Sequence, residues 1–254
     1  MEGCLPFQRI APICMLPRLS ERTASVTTTD GQRAIAFIGG TGPEGIGLAV
    51  RFAAAGVPVI IGSRVGTRAE AAAESIRAAV PGAQAHGFEN LEAVARADRV
   101  TLTFPYAGLA DFLETARGRL AGKLVIDVVV PLSLRDGFFE LLPVPGGGSV
   151  GELIQREAPD ARVVSAFKNL SAEKLRKLSA TLEGDIVLCG EDASARAQVS
   201  ELVSLLPDLR AVDAGGIANA RYLEAITALL LNLNRRYKSQ TSIGILGLRS
   251  ERHK

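Results

Sequence analysis

From residue 34 onward the chain alternates short, unbroken apolar runs with longer segments of helical composition. The runs cover 34–38, 57–61, 83–88, 99–104, 124–130, 162–167, 185–189 and 209–212, and most stop at or beside a glycine or a proline. A strand that is apolar along its whole length, rather than at every second residue, is covered on both faces. Helices are predicted over 44–55, 67–80, 91–97, 107–120, 171–182, 194–206 and 218–235, with Thr67 and Asn219 as N-cap candidates. Strand and helix in repeated alternation pair in parallel through right-handed crossovers.

The first run leads directly into Gly39-Gly40-Thr41-Gly42-Pro43-Glu44-Gly45. This segment holds G-x-G-x-x-G at Gly40, Gly42 and Gly45. Its place between a buried strand and a helix gives the motif its meaning. Gly40 permits the tight turn, Gly42 lets the backbone approach a pyrophosphate, and Gly45 lets the helix pack close to the strand. The helix start then offers free N–H groups and a partial positive charge to phosphate. Pro43 lacks an N–H, which is dispensable at the first helical position. The expected class is α/β, a Rossmann-type doubly wound parallel sheet with a small C-terminal helical segment. Residues 34–212 form the dinucleotide-binding Rossmann domain in this reading, and 213–254 form the segment that closes its cleft.

The second strand indicates which dinucleotide. An NAD site carries an Asp or Glu there to hold the ribose 2′-hydroxyl. Here the strand ends in Gly62-Ser63-Arg64, no acid occurs from Val57 to Arg68, and Arg64 and Arg68 stand instead. A guanidinium grips a phosphate with two parallel hydrogen bonds, so Ser63, Arg64 and Arg68 are expected to hold a 2′-phosphate and the cofactor is NADP(H).

Other classes are disfavoured by composition. The formal net charge is +2 over 254 residues, without the basic excess of a nucleic-acid binder. No apolar run reaches the length of a membrane span. His86 and His253 are the two histidines, too few for a histidine-based metal site, and no metal is expected. Cys4, Cys14 and Cys189 have no paired or zinc-type spacing, which fits a reducing, cytoplasmic setting. Residues 1–33, with three prolines and a Ser/Thr-rich stretch over 20–29, are expected to be a disordered extension. Residues 135–151, with two prolines and Gly146-Gly147-Gly148, read as a mobile loop or lid.

The ordered set of short motifs carries a resemblance. The Gly39–Gly45 turn, Gly62-Ser63-Arg64, Val163-Val164-Ser165-Ala166, Leu188-Cys189-Gly190-Glu191-Asp192, Asp213-Ala214-Gly215, Asn219-Ala220-Arg221 and Ile243-Gly244-Ile245 resemble the NADPH-dependent coenzyme F420 reductases, over about residues 34–248. The resemblance implies a deazaflavin stacked on the nicotinamide, in a cleft between the Rossmann domain and the C-terminal segment. It implies NADP contacts at Thr41, Ser63, Arg64 and Arg68. It also implies ring-side walls at Thr103-Phe104-Pro105-Tyr106 and at Val129-Val130-Pro131-Leu132. Pro105 and Pro131 lie just past strand ends, where ligands of open α/β sheets bind. Two positions depart from the family pattern. Phe167-Lys168-Asn169-Leu170 stands where F420-using members carry a histidine, and Gly216 stands where proline is frequent. A flavin or a pterin therefore stays open beside F420 as the ring partner.

Lys168 and Asn169 follow a strand at its carboxyl end. Lys168 is a candidate to bind an anionic substrate or supply a proton, and Asn169 to orient a carbonyl. Hydride transfer itself asks mainly for stacking and exclusion of water, which apolar walls provide. The expectation is an NADP-dependent oxidoreductase acting on a small-molecule redox partner of the deazaflavin type. The alternatives are a reductase of a pterin, flavin or C=N substrate, or a non-catalytic NADP-binding sensor. The helix around 222–233 is apolar on more than one face, so it is expected to close the cleft or to join two copies in a homodimer.

Overall fold

A computed structural model describes residues 34–248. The expected extension over 1–33, with Cys4 and Cys14, lies outside the described residues. The elements run β1 (Ile35–Ile38), α1 (Pro43–Ala54), β2 (Val59–Ser63), α2 (Gly66–Ala79), β3 (Ala85–Glu89), α3 (Asn90–Arg96), β4 (Arg99–Leu102), α4 (Leu109–Ala116) and β5 (Leu124–Asp127). They continue with β6 (Leu132–Arg135), β7 (Phe138–Leu141), α5 (Val150–Glu157), β8 (Arg162–Ser165), α6 (Ala172–Arg176), β9 (Gly184–Leu188), α7 (Ala193–Ser204), β10 (Leu209–Asp213) and α8 (Ala220–Tyr237).

A six-stranded sheet in the order β3-β2-β1-β4-β5-β8 forms the centre, and every neighbouring pair in it is parallel. The strand order reverses direction on either side of β1, which is the doubly wound arrangement. All residues of β1 are buried. Ile35 and Phe37 face one core, with Phe52, Phe167 and Leu188, while Ala36 and Ile38 face the other, with Leu102, Leu113 and Ile154. The strands are apolar throughout because each face of the sheet carries its own helical layer. A smaller parallel pair, β9 and β10, joins β8 through a bridge between Ser165 and Cys189.

The structure corrects four local expectations. The stretch read as a mobile lid begins as an antiparallel hairpin, β6–β7. The amide of Asn232 on α8 clamps it, donating to the Phe139 carbonyl and accepting from the Phe139 N–H, each at 2.8 Å. The three glycines beyond it all take positive φ, between 78° and 81°, so they build a turn that other residues rarely adopt. That turn feeds α5, which the sequence reading passed over. Ser149 caps the helix by accepting from Glu152 N, and its hydroxyl donates back to the Glu152 carboxylate at 2.9 Å.

The helix expected over 171–182 is only α6. The Arg51 guanidinium on α1 donates to the carbonyls of Lys174, Leu175, Lys177, Leu178 and Ala180, and the chain wraps around this donor instead of continuing as a helix. Neither proposed side-chain cap forms. The α2 N-cap is Val65, and the Asn219 amide donates to the Ala214 carbonyl at 2.6 Å.

Asn232→Ala removes both bonds to Phe139. Amide hydrogen exchange at Phe139 and tryptic cleavage at Arg135 are expected to accelerate about tenfold, since one clamp accounts for about 1–2 kcal/mol of local opening energy. Unchanged exchange at Phe139 would show that the hairpin is held by other means.

Candidate active site

Because the central strands are parallel, β1, β2, β4, β5 and β8 all end on one edge. A cleft of about 570 Å³ opens there. Its floor is the turn after β1, the segments after β4 and β5, and the loop from β8 to α6. Its far wall is α8, through Thr227, Leu230, Leu231 and Asn234, with Gln240 and Thr241 from the tail.

Gly45 lies inside α1, where a Cβ would stand 2.5 Å from Thr103 Oγ1 and 2.7 Å from Gly40 Cα, so no other residue fits without moving the turn. Gly42 differs. A Cβ there would meet its nearest protein atom at 3.5 Å, while the residue borders the cleft. The bareness of Gly42 therefore keeps room for something that is not protein. No side chain caps α1. The N–H groups of Glu44 and Gly45 have no intrahelical acceptor and remain available to an anion.

Of the other residues singled out from the sequence, Pro43, Glu44, Thr103, Phe104, Pro105, Val130, Lys168 and Asn169 line the cleft. Gly40, Thr41, Tyr106 and Pro131 do not. Pro131 is buried and its carbonyl accepts from Leu142 N at 2.6 Å, while Tyr106 packs into the core on the α4 side. The Phe104 ring packs against Phe112 at 5.1 Å and an interplanar angle of 54°, which holds the wall after β4.

Ser63, Arg64 and Arg68 lie apart from the cleft, at the end of β2 and the start of α2. Ser63 is buried and its hydroxyl accepts from Val65 N, whereas Arg64 and Arg68 are exposed. No ion pair within the described residues uses either guanidinium.

The loop after β8 contains a charge cluster that the sequence did not reveal. Phe167 takes φ of +59°, a conformation that costs a non-glycine residue on the order of 1–2 kcal/mol. Its ring packs edge-on against Phe52 at 6.0 Å and holds that backbone in place. The turn directs Lys168 inward, where it is only 3% exposed. The ammonium donates to Asp127 Oδ2 at 2.7 Å and to the Val129 carbonyl, and it stands 3.4 Å from Glu224 Oε1. Asp127 also accepts from Ser165 Oγ at 2.6 Å and from Val129 N at 3.0 Å. Glu224, on α8, accepts from Val150 N at 2.9 Å.

Two acids thus share one cation. Burial pushes the Glu224 carboxyl up to about 7; the Lys168 ammonium opposes this and Asp127 adds to it. Asn169 is buried too, and its amide donates to the Asp185 carbonyl. A signal for the cluster was present in the sequence. Asp127 is the lone acid in the apolar run 124–130, and Glu224 the lone acid among the apolar residues 222–233.

The family described as NADP oxidoreductase, coenzyme F420-dependent, matches residues 34–131. The F420-dependent NADP reductase of Methanocaldococcus jannaschii is 38% identical over 220 residues, spanning 84% of this chain and 98% of that protein. The chain belongs to the F420-dependent NADP reductase family. The reductase of Methanothermobacter thermautotrophicus is 37% identical over 205 residues, 79% of this chain and 88% of its own length. Among solved structures, a candidate F420-dependent NADP reductase from Arthrobacter sp. FB24 superposes with a TM-score of 0.70 at 27% identity, covering 86% of this chain and 100% of that one. In this family member the described residues include no helix long and apolar enough to cross a membrane, and no cluster of His, Cys, Asp and Glu that would hold a metal ion.

The cluster makes stability depend on pH. The folded chain holds the Glu224 proton more tightly than the unfolded chain does. Its contribution is therefore complete below the ordinary carboxylate range and is lost as the pH rises through about 7, on the order of 3 kcal/mol in all. Glu224→Gln is expected to flatten the fall in melting temperature between pH 6 and 8, and an unaltered slope would contradict the assignment. Lys168→Met leaves two buried acids without their cation and is expected to cost about 3–5 kcal/mol in denaturant unfolding.

Proposed function

We propose that this chain transfers a hydride between NADP(H) and a deazaflavin of the coenzyme F420 type, as the names of its relatives state for them. The observation that carries the reading is the division of the binding edge into two regions. At the end of β2 stand two unpaired guanidiniums and no acid on the strand itself, with Glu89 opposite Ser63 on β3; above β4 and β5 stands a cleft walled by Phe104, Pro105 and Val128–Val130. Arg64 and Arg68 suit a 2′-phosphate, the bare Gly42 and the free N–H groups of α1 suit a pyrophosphate, and the apolar walls suit two stacked rings. NADPH supplies the hydride; the protein supplies alignment and a dry slot.

In this reading Thr103, Phe104, Pro105 and Val130 flank the nicotinamide, Thr41 and Ser63 approach the dinucleotide from outside the cleft, and Tyr106 and Pro131 support the walls from behind. Lys168 is a positioning residue rather than a proton donor, because its hydrogens already point at Asp127, Val129 and Glu224. Asn169 fixes the loop against β9. The NADP-binding part extends over 34–212, with 213–254 closing the cleft. A cytoplasmic setting fits the cysteine pattern. Exposed Leu134 and Phe138 on the hairpin and Tyr222 and Leu229 on α8 support pairing of two copies as a homodimer.

Anaerobic mixing with NADPH is expected to bleach F420 absorbance, with FMN and dihydropterin turned over far more slowly; turnover of those two with none of F420 would overturn the reading. Arg64→Ala is expected to weaken NADPH binding about tenfold to a hundredfold and NADH binding little, since each charge-assisted phosphate contact contributes about 1.5–3 kcal/mol. Equal losses for both nucleotides would contradict the 2′-phosphate assignment. Light scattering at micromolar concentration is expected to give twice the chain mass, and a monomer mass would contradict the homodimer.

A further inference from the structure

Reduction of a deazaflavin ring needs a proton as well as a hydride, because hydride addition at carbon leaves negative charge on a ring nitrogen. The inference that follows rests on the function proposed above. Three ionisable side chains line the cleft among the described residues: Glu44, Lys168 and Glu173. Lys168 is held by Asp127, Val129 and Glu224. Glu173 lies in the open, bonds Lys177 at 2.7 Å and Gln240 at 3.0 Å, and has its carboxyl pushed down by Lys177. It is ionised at neutral pH and has no proton to give.

Glu44 is different on each count. It sits in the first turn of α1, beside the bare Gly42, and its carboxyl has no hydrogen-bond or ion-pair partner among the described residues. It is half-buried and borders the cleft. It borders the same space as Val128–Val130 and the loop 168–173, whereas Arg64 and Arg68 do not. It therefore stands on the ring side of the turn, away from the 2′-phosphate end.

We propose that Glu44 is the catalytic proton donor to the reduced ring, and the proton acceptor when the reaction runs in reverse. The C4–H bond of the dihydronicotinamide breaks with both electrons and a C–H bond forms on the acceptor ring. The O–H bond of Glu44 breaks and an N–H bond forms on that ring. NADP+, the dihydro ring and a Glu44 carboxylate remain, and water entering the opened cleft returns the proton. Burial supports the role by pushing the Glu44 carboxyl up to about 8, against the opposing pull of the Lys168 ammonium, so that the proton is present at neutral pH.

The other charged groups around it are few. Asp127 and Glu224 stand behind Lys168, Glu173 and Arg176 come from α6, and Arg51 lies two turns along its own helix.

Glu44→Gln keeps the shape and removes the proton. Single-turnover reduction of F420 at saturating NADPH is expected to slow about a hundredfold, with the alkaline limb near pH 8 and the solvent isotope effect both lost. The NADPH dissociation constant at pH 7 is expected to change less than about threefold, because the group acts on the transition state rather than in ground-state binding. Formate is expected to restore the rate of Glu44→Ala. In the ligand-free protein, two infrared bands of protonated carboxyls are expected in the wild type, one lost as the pH passes about 7 (Glu224) and one lost near 8 (Glu44); only the second is expected to be absent from Glu44→Gln, and only the first from Glu224→Gln. Wild-type rates with an unchanged pH profile in Glu44→Gln would overturn the proposal, as would a loss confined to NADPH binding. An inactive wild type would instead overturn the function on which it rests.

Discussion

The ammonium of Lys168 lies where three parts of the chain converge. It touches the end of β5 through Asp127, the segment that walls the cleft through the Val129 carbonyl, and the C-terminal helix through Glu224. A charge so deeply buried is costly without a partner, and a misplaced helix or loop would separate the Lys168 ammonium from its two acids at a cost of several kcal/mol. The cluster therefore fixes the position of α8 and with it the distance between the two walls of the cleft. Thr227, one turn past Glu224, reinforces this by donating to the Lys168 carbonyl at 2.9 Å. The strain at Phe167 belongs to the same device, since it turns Lys168 away from water.

From that constraint the rest of the site follows. The parallel sheet brings the strand ends to one edge. The glycine turn leaves that edge bare at Gly42, and the guanidiniums without an ion-pair partner, Arg64 and Arg68, stand at the β2 end. A dinucleotide laid along the edge would place its charged portion over α1 and its ring in the apolar cleft. Two rings filling that cleft would displace its water, and one unpartnered carboxyl would then have more chemical weight than it has on the surface.

Much of the fold was legible in the amino-acid sequence because local pattern and tertiary burial agree there. Continuous apolar strands can only be covered on both faces, and the glycine turn has one use after a first strand. What escaped notice depends on partners far along the chain. The hairpin β6–β7 is held by Asn232, more than ninety residues beyond it, and proline and glycine content alone suggests a loose loop. Arg51 stops α6 from a different helix. Lys168 followed by Asn169 resembles a solvated loop until Asp127 and Glu224, 41 and 56 residues away, are brought to it. Ser149 and Glu152 did carry a readable capping signal, and so did the solitary acids Asp127 and Glu224. The glycine turn itself was legible as a phosphate site; that Glu44 borders the cleft was not, because direction within a turn is a property of the folded backbone.

The central claim is direct passage of hydride from one ring to the other inside a cleft closed by α8. The most direct measurement uses NADPH deuterated at the transferred C4 position, oxidised anaerobically by F420 in ordinary water, with mass and NMR analysis of the reduced ring. Deuterium retained in full at the ring carbon is the predicted result. Its appearance in solvent, or its dilution by solvent hydrogen at that carbon, would contradict the account.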